Sequence, residues 1–317
     1  MQENRCLYCY QPLQEVGKDF HEKCSRKFFG TPILPALDYN GEQMQELAKE
    51  IVRRSVSVTG VQPKLSLTIE KQPGDPKHSR LTIVGLWGDY ILKPPSLEFQ
   101  HLPENEDVTM NLAKLFGIQT AEHSLIKLQS GELAYITKRF DRIKGEKLAV
   151  EDMCQLTETL TNDKYRGSME KIGKQIAKFS SRPGLDLLTF FEVALFSFIT
   201  GNADMHLKNF SLLTTPENEI HFSPAYDMLC TRIPMPDDKE EMALTINAKK
   251  RKLKKADFDE LAFRLKISEK TVQNVYAKFS RKLKDVMAFI DISFLPVDMK
   301  EEYKKIIEEN AGRISII

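Results

Sequence analysis

The apolar positions change their spacing at about residue 141. Before it, from residue 55 on, they fall in short, mostly alternating runs broken by glycine, proline and polar turns, which is the pattern of strands. Leu81–Leu86 and Asp89–Pro94 form one expected pair. His123–Leu128 and Glu132–Phe140, split by Gln-Ser-Gly, form another. Helices are expected at Glu42–Arg53 and from Pro103-Glu104-Asn105-Glu106 onward, the second carrying Leu112, Ala113, Leu115 and Phe116 and stopped by Gly117. After Asp141 the apolar spacing becomes three and four. Glu151–Thr161, Gly167–Ser180, Asp186–Thr200, Asp257–Leu265, Ser268–Phe289 and Val297–Asn310 read as helices. A hairpin is expected around the polar turn Thr214–Glu219, and Glu241–Asn247 alternates like a strand. A strand-rich front joined to a helix-rich back near residues 140–147 predicts an α+β chain of two lobes with a cleft between them. The expected divisions are 1–30, 31–142 and 143–317.

Composition narrows this picture only a little. The chain has 317 residues and a formal net charge of +1, so no global field argues for nucleic acid. The N-terminus lacks the apolar run of a signal peptide. The most apolar stretch, Leu185–Thr200, contains Asp186 and Glu192 and reads as a buried core helix, not a membrane span. A cytoplasmic protein is expected, with its five cysteines reduced. Lys249–Lys255 is a basic run that reads either as a solvated loop or helix start, or as a contact for an anionic partner.

Three cysteines crowd the first residues. Cys6-x-x-Cys9 followed by His21-x-x-Cys24 is a Cys₃His ligand set for tetrahedral Zn²⁺. The segment is too short to bury a core, so a metal can replace one. Four protein ligands make a closed, structural site, and the expected role of this zinc-knuckle module is a knob docked on the main domain.

The chemistry-bearing residues lie further on. Asp204 and Asn209 are five apart in Gly201-Asn-Ala-Asp-Met-His-Leu-Lys-Asn-Phe210, the spacing between a kinase's catalytic base and one of its Mg²⁺ ligands. The expected hairpin follows and leads to Asp227. Asn209 and Asp227 would offer a hard cation oxygen ligands from the two sides of that hairpin. In the front half, Gly60 sits in a loop of small residues suited to phosphates. Lys93 ends a strand as a phosphate-binding lysine does, and Glu106 could pair with it. Each of these features has an ordinary counterpart: a polar turn, a solvated strand-end lysine, a carboxylate at a helix N-terminus. The chain order is what joins them: loop, lysine, glutamate, hinge, Asp-x₄-Asn, hairpin, aspartate.

Together these stretches resemble the HipA-like serine/threonine kinase toxins, and most of all their short HipT-like form. The matching segments are Ser57-Val-Thr-Gly-Val-Gln-Pro-Lys64, Ile91-Leu-Lys-Pro94, Leu102-Pro-Glu-Asn-Glu106, Lys138-Arg-Phe-Asp-Arg142, Glu151-Asp-Met-Cys-Gln-Leu156, Lys164-Tyr165, the Asp204 loop and Tyr226-Asp227. The resemblance implies a two-lobed protein-kinase-like fold using ATP and Mg²⁺. It implies Asp204 as the catalytic base with Lys208 beside it, and Asn209 and Asp227 as Mg²⁺ ligands. Ser57, Gly60, Gln62, Lys64, Lys93, Glu106 and His206 would meet ATP. Lys138, Arg139 and Phe140 would form the hinge that meets adenine. Ser55 and Ser57 would be autophosphorylation sites that switch the loop. An aminoacyl-tRNA synthetase is the implied substrate and a helix-turn-helix antitoxin the implied partner, with DNA met only through it and no membrane. The extra N-terminal subdomain of the full-length toxins is missing, which leaves a place for a separate small protein. Two other readings compete: a small-molecule kinase, and a catalytically silent binding module built on the zinc knob and the basic run.

Overall fold

The computed structural model describes residues 4–40, 42–44, 46–47, 64–72, 75–84, 87–143 and 145–316. The expected phosphate loop with Ser55, Ser57, Gly60 and Gln62 lies outside the described residues, as does most of the Glu42–Arg53 helix. The chain divides into two compact units, Met1–Asp107 with Ala121–Phe140, and Val108–Thr120 with Asp141–Ile317.

The first unit is built on one antiparallel sheet. Its strands are β1 (Leu65–Gln72), β2 (Asp75–Val84), β3 (Tyr90–Lys93), β4 (His123–Lys127) and β5 (Leu133–Lys138), in the order β2-β1-β3-β5-β4. β3 is therefore central, with Leu92 opposite Leu65 of β1 and Lys93 opposite Tyr135 of β5. Leu65, Leu67, Leu92, Leu125 and Ile136 are buried against it. β2 begins at Asp75, earlier than the expected Leu81, and pairs with β1, whose start, Leu65-Ser-Leu67, is the alternating run after the Gly60 loop. β2 is the sheet's edge, where polar residues and a proline are tolerated, so the hydrophobic pattern is weak there.

The small N-terminal module has a turn at Cys6–Tyr10 and one helix, α1 (Glu22–Phe29). It docks on this sheet. The Leu7 carbonyl accepts from the Ser124 hydroxyl at 3.1 Å, and the Phe28 and Phe29 rings lie 5.7 and 5.8 Å from that of Tyr90. Phe28 and Phe29 are buried, so the module borrows the sheet for its core. Tyr10 has a φ of +62°, a left-handed conformation that costs a bulky residue about 1–3 kcal/mol.

Helix α2 (Leu102–Leu115) is shared, its first half in unit one and its second in unit two. Phe116 and Gly117 close it as expected: Gly117 at φ +84° donates to Lys114 and Ile118 donates to Ala113, a Schellman end. Every residue from Leu102 to Met110 is buried, including Glu104, Glu106, Asp107 and Thr109. Buried carboxylates persist only when partnered. Glu104 pairs with His101, Glu106 with Lys93, Asp107 with Tyr10 and His123, and Thr109 with Tyr303.

The second unit is mostly helical. It holds the ribbon β6 (Arg142–Ile143) and β7 (Glu146–Lys147), then β8 (Val150–Asp152), α3 (Met153–Leu156), α4 (Met169–Phe179) and α5 (Pro183–Ile199). β9 (Ser211–Thr214), β10 (Ile220–Phe222), α6 (Lys255–Arg264), α7 (Glu269–Asp291) and α8 (Val297–Arg313) follow. α5 is the buried core helix expected from its sequence, with Phe190, Phe191, Phe196 and Phe198 inside. Phe190 meets Phe210 and Phe222 edge-on, and Phe116 meets Phe196 and stacks on Phe279. Each such ring contributes about 1.5–3 kcal/mol by burial.

Two expectations fail here. The Glu151–Thr161 helix shrinks to α3, because Val150–Asp152 pairs with β9 instead and Asp152 caps the short helix in a box with Gln155. Glu158 then turns the chain at φ +52°. The Glu241–Asn247 strand does not form. Met242, Ala243 and Leu244 are buried in succession, where a half-buried strand would alternate, and Thr245 makes only an isolated bridge to Ser168. The basic run is a loop leading into α6. Lys249, Lys250 and Lys255 are held by Asp257, Glu240 and Asp259, and Leu253 is buried. No helix among the described residues is long and apolar enough to cross a membrane.

Candidate active site and metal cluster

In the first unit, Lys93 reaches both carboxylate oxygens of Glu106, at 2.6 and 2.7 Å. Both side chains are almost wholly buried (4% and 2% exposed), and the ammonium also lies 5.5 Å from the Tyr135 ring centroid. A central strand and a buried helix fix both ends, so the pair is rigid. Lys64, by contrast, is exposed. The Lys138 and Arg139 amides donate to the Glu122 and Asp89 carbonyls at 2.7 and 2.8 Å. Asp141 of the Arg-Phe-Asp-Arg segment holds Arg142 at 2.6 Å.

In the second unit, the end of α5 and a 3-10 turn at Leu207–Asn209 hold the loop that carries Asp204. Three side chains brace it. Asn202 Oδ1 accepts from the Asp204 amide at 3.0 Å. Asn209 Nδ2 donates to the Asp204 carbonyl at 3.0 Å, which leaves the amide oxygen as the atom suited to a hard cation. The buried Thr231 hydroxyl accepts from the Ala203 amide at 2.9 Å and donates to the Gly201 carbonyl at 3.1 Å. Asp204 Oδ1 accepts a 2.6 Å hydrogen bond from the Tyr165 hydroxyl. Burial and then Asp204 push the Tyr165 phenol well above its ordinary range, so it remains a donor at neutral pH.

Asp227 follows the hairpin of β9 and β10, whose register sets Phe222 opposite Leu212. Its backbone is left-handed, φ +59°. The charges of Asp204 and Asp227 both bear on Tyr165 and on His206, so the two carboxylates share one locality. His206 is buried with its ring edge-on to Tyr165 at 5.0 Å, and burial lowers its pKa. Its Nδ1 has no hydrogen-bond partner among the described residues. Lys208 is held by Asp152 at 2.6 Å, and the Tyr226 hydroxyl bonds the Lys208 carbonyl at 2.9 Å. Asp152, Thr231 and Tyr226 received no role from the sequence. Only their proximity in the fold reveals them, although Tyr165 and Tyr226 stood beside recognised residues.

Cys6, Cys9, His21 and Cys24 converge, their ligand atoms all within 4.8 Å of one another. His21 Nδ1 lies 3.4 Å from Cys9 Sγ and 3.7 Å from Cys24 Sγ. Tetrahedral zinc, about 2.0–2.3 Å from its ligands, spaces them by roughly 3.3–3.8 Å. The other ring nitrogen, Nε2, sits 3.0 Å from the Pro12 carbonyl, as a donor that would hold Nδ1 unprotonated. Burial pushes the Cys9 and Cys24 thiols upward, so a cation is what would make thiolates favourable here. None of the five cysteines is in a disulfide.

A five-stranded sheet whose central lysine meets a helix glutamate, followed by a helical unit with an Asp-x₄-Asn loop and a hairpin aspartate, defines the two-lobed, kinase-like class. The chain belongs to the HipA-like C-terminal domain family, whose match runs over residues 56–287. It is 34% identical over 232 residues to Y4dM of Sinorhizobium fredii, described as a candidate kinase, covering 68% of this chain and 55% of that one. It is 28% identical over 215 residues to the serine/threonine-protein kinase toxin HipA of Shewanella oneidensis, covering 61% and 47%. The chain thus spans about half the length of these two relatives. Its fold matches the HipA chain in a complex of HipA, HipB and operator DNA from the Shewanella oneidensis MR-1 toxin–antitoxin system, with a TM-score of 0.64, 22% identity, and 84% of this chain and 71% of that chain covered.

Proposed function

We propose that this chain is an ATP-dependent protein serine/threonine kinase, the toxin of a HipA/HipT-like toxin–antitoxin module. The observation that carries the reading is the Asp204 loop: a carboxylate fixed by Tyr165, its backbone braced by Asn202, Asn209 and Thr231, in one locality with Asp227. Asp204 accepts the proton of the acceptor hydroxyl. Lys93, oriented by Glu106, binds ATP phosphates. Asn209 and Asp227 hold Mg²⁺, which supplies charge neutralisation for the transferring phosphoryl group. Lys208 stands beside the base, and His206, neutral through burial, lines the same loop. Cys6, Cys9, His21 and Cys24 hold one structural Zn²⁺.

The finer reading follows the family. The substrate is an aminoacyl-tRNA synthetase whose modification inhibits translation. The partner is a helix-turn-helix antitoxin, with a separate small N-subdomain-like protein beside it, and the setting is the cytoplasm. Autophosphorylation at Ser55 or Ser57 switches the loop off, because about −1.5 to −2 added charges repel the phosphates of ATP. The test is incubation with labelled ATP·Mg²⁺ and a cell lysate, with intact-mass measurement of the chain. A labelled protein band and a self-phosphorylated chain, both absent for Asp204→Asn, are expected. A labelled metabolite would replace this reading with a small-molecule kinase, and no transfer at all would leave a binding module.

A further inference from the structure

The N-terminal module supplies nothing to the chemistry above, yet two of its bonds reach the two elements that carry the Lys93–Glu106 pair. Tyr90, the first residue of β3, donates its hydroxyl to the Phe28 carbonyl at 3.0 Å. Lys93 is the last residue of the same four-residue strand. Tyr10, directly after Cys9, donates its hydroxyl to Oδ2 of Asp107, and Asp107 directly follows Glu106 on α2. The other oxygen of Asp107 receives the Nδ1–H of His123 from β4 at 2.8 Å. Tyr10, Tyr90, Asp107 and His123 are all buried.

We propose that the module is a clamp on this ion pair and that Tyr10 is a positioning residue for Glu106. The inference rests on the reading of Lys93 as the lysine that binds ATP phosphates. A helix turns as a rigid body, so any roll of α2 carries Glu106 and Asp107 through the same angle. Glu106 cannot swing away from Lys93 by such a roll unless Asp107 leaves Tyr10. The hydroxyl of Tyr10 therefore holds the rotational setting of the helix, and the Tyr90–Phe28 bond holds the strand against the same module. Kinases depend on this setting, because the lysine must be presented by its glutamate partner.

The backbone at Tyr10 points the same way. Its amide closes the turn onto the Cys6 carbonyl at 2.9 Å, with φ at +62°. A glycine enters that region freely and would serve the turn better. The chain instead places there a tyrosine with a fully buried side chain whose hydroxyl lies on Asp107. Strain of this kind persists where the side chain is needed.

The experiment measures ATP·Mg²⁺ affinity by calorimetry for the full chain carrying Tyr10→Phe, alone and together with Glu106→Gln, with thermal melting recorded for each. Tyr10→Phe keeps the ring and removes only the hydroxyl. It should weaken ATP binding by about 3- to 10-fold, the equivalent of one lost buried hydrogen bond. In the Glu106→Gln background the same change should add less than about 2-fold, because the residue acts through Glu106. Should Tyr10→Phe fail to fold, Tyr90→Phe removes the other bond of the clamp and should weaken ATP binding in the same direction. A lowered melting temperature with ATP affinity unchanged, or an equal loss in both backgrounds, overturns the clamp and leaves Tyr10 a structural residue. A wild-type chain that binds no ATP overturns the kinase reading itself, and with it the role given to Glu106.

Discussion

Asp204 and Asp227 show how differently two carboxylates can be held within one loop system. Asp204 has a phenol on its side chain and hydrogen bonds at both its amide and its carbonyl, so its position is fixed before any substrate arrives. Asp227 is presented by a left-handed backbone that aspartate tolerates better than bulkier residues do. Asp204→Asn is nearly isosteric. It should reduce phosphoryl transfer by at least about 10²–10⁴-fold, while the melting temperature stays close to that of the wild type. A variant with near-normal transfer would remove Asp204 from the role of base. His206 supplies a pH test. Burial holds its folded pKa below the ordinary 6.5, so the unfolded chain binds its proton more readily. Its effect on stability is therefore nil above pH ~6.5 and grows unfavourable as the pH falls from there towards the folded pKa. Melting temperatures of metal-free protein between pH 7 and 5.5 should fall for the wild type and fall less for His206→Asn. Parallel curves would show that His206 carries no such penalty.

At the scale of elements, helix α2 has to bury carboxylates and threonine as well as leucine, and Glu106, Asp107 and Thr109 each depend on a partner from another segment. Lys93→Met would leave Glu106 buried without its cation. Breaking a buried pair from one side costs about 3–5 kcal/mol, so the variant should melt lower as well as lose ATP binding. An unchanged melting curve would mean that Glu106 finds another partner. The basic run shows the opposite economy. Asp257 gathers Lys249, Asn247 and the Lys254 amide at the start of α6. Burial would raise its pKa, but these partners hold it below 3.8. Its contribution is complete above about pH 4 and is lost as the pH falls through the folded value. Asp257→Ala should cost about 1–3 kcal/mol at pH 7, and less at pH 3, by denaturant unfolding. The Cys/His module makes its own prediction: elemental analysis should find one zinc per chain, and chelation should lower the melting temperature, because the module buries only a borrowed core. Metal-free protein that melts identically would count against the site.

At the scale of the molecule, the chain order of chemistry-bearing residues is divided between two units, with Lys93 and Glu106 in one and Asp204, Asn209 and Asp227 in the other. The sequence by itself marked the candidate residues of the proposed reaction and the class of each half. It did so because catalysis demands fixed residue types at fixed spacing, and because strands and helices leave different periods in the apolar pattern. It also marked the cysteine and histidine residues that converge as a candidate metal site, since paired spacing is the requirement of a tetrahedral ion. Only the tertiary structure decided where local pattern and long-range packing disagree. It made a strand of the polar Asp75–Arg80 because an edge needs no alternation, and it cut the Glu151 helix short because β9 claimed Val150–Asp152. It paired the basic run with Asp257, Glu240 and Asp259, which no local rule singles out. And it brought Tyr10 to Asp107 across ninety-seven residues of chain, a contact with no sequence signal because hydrogen bonds between distant segments are set by how elements pack, not by spacing along the chain.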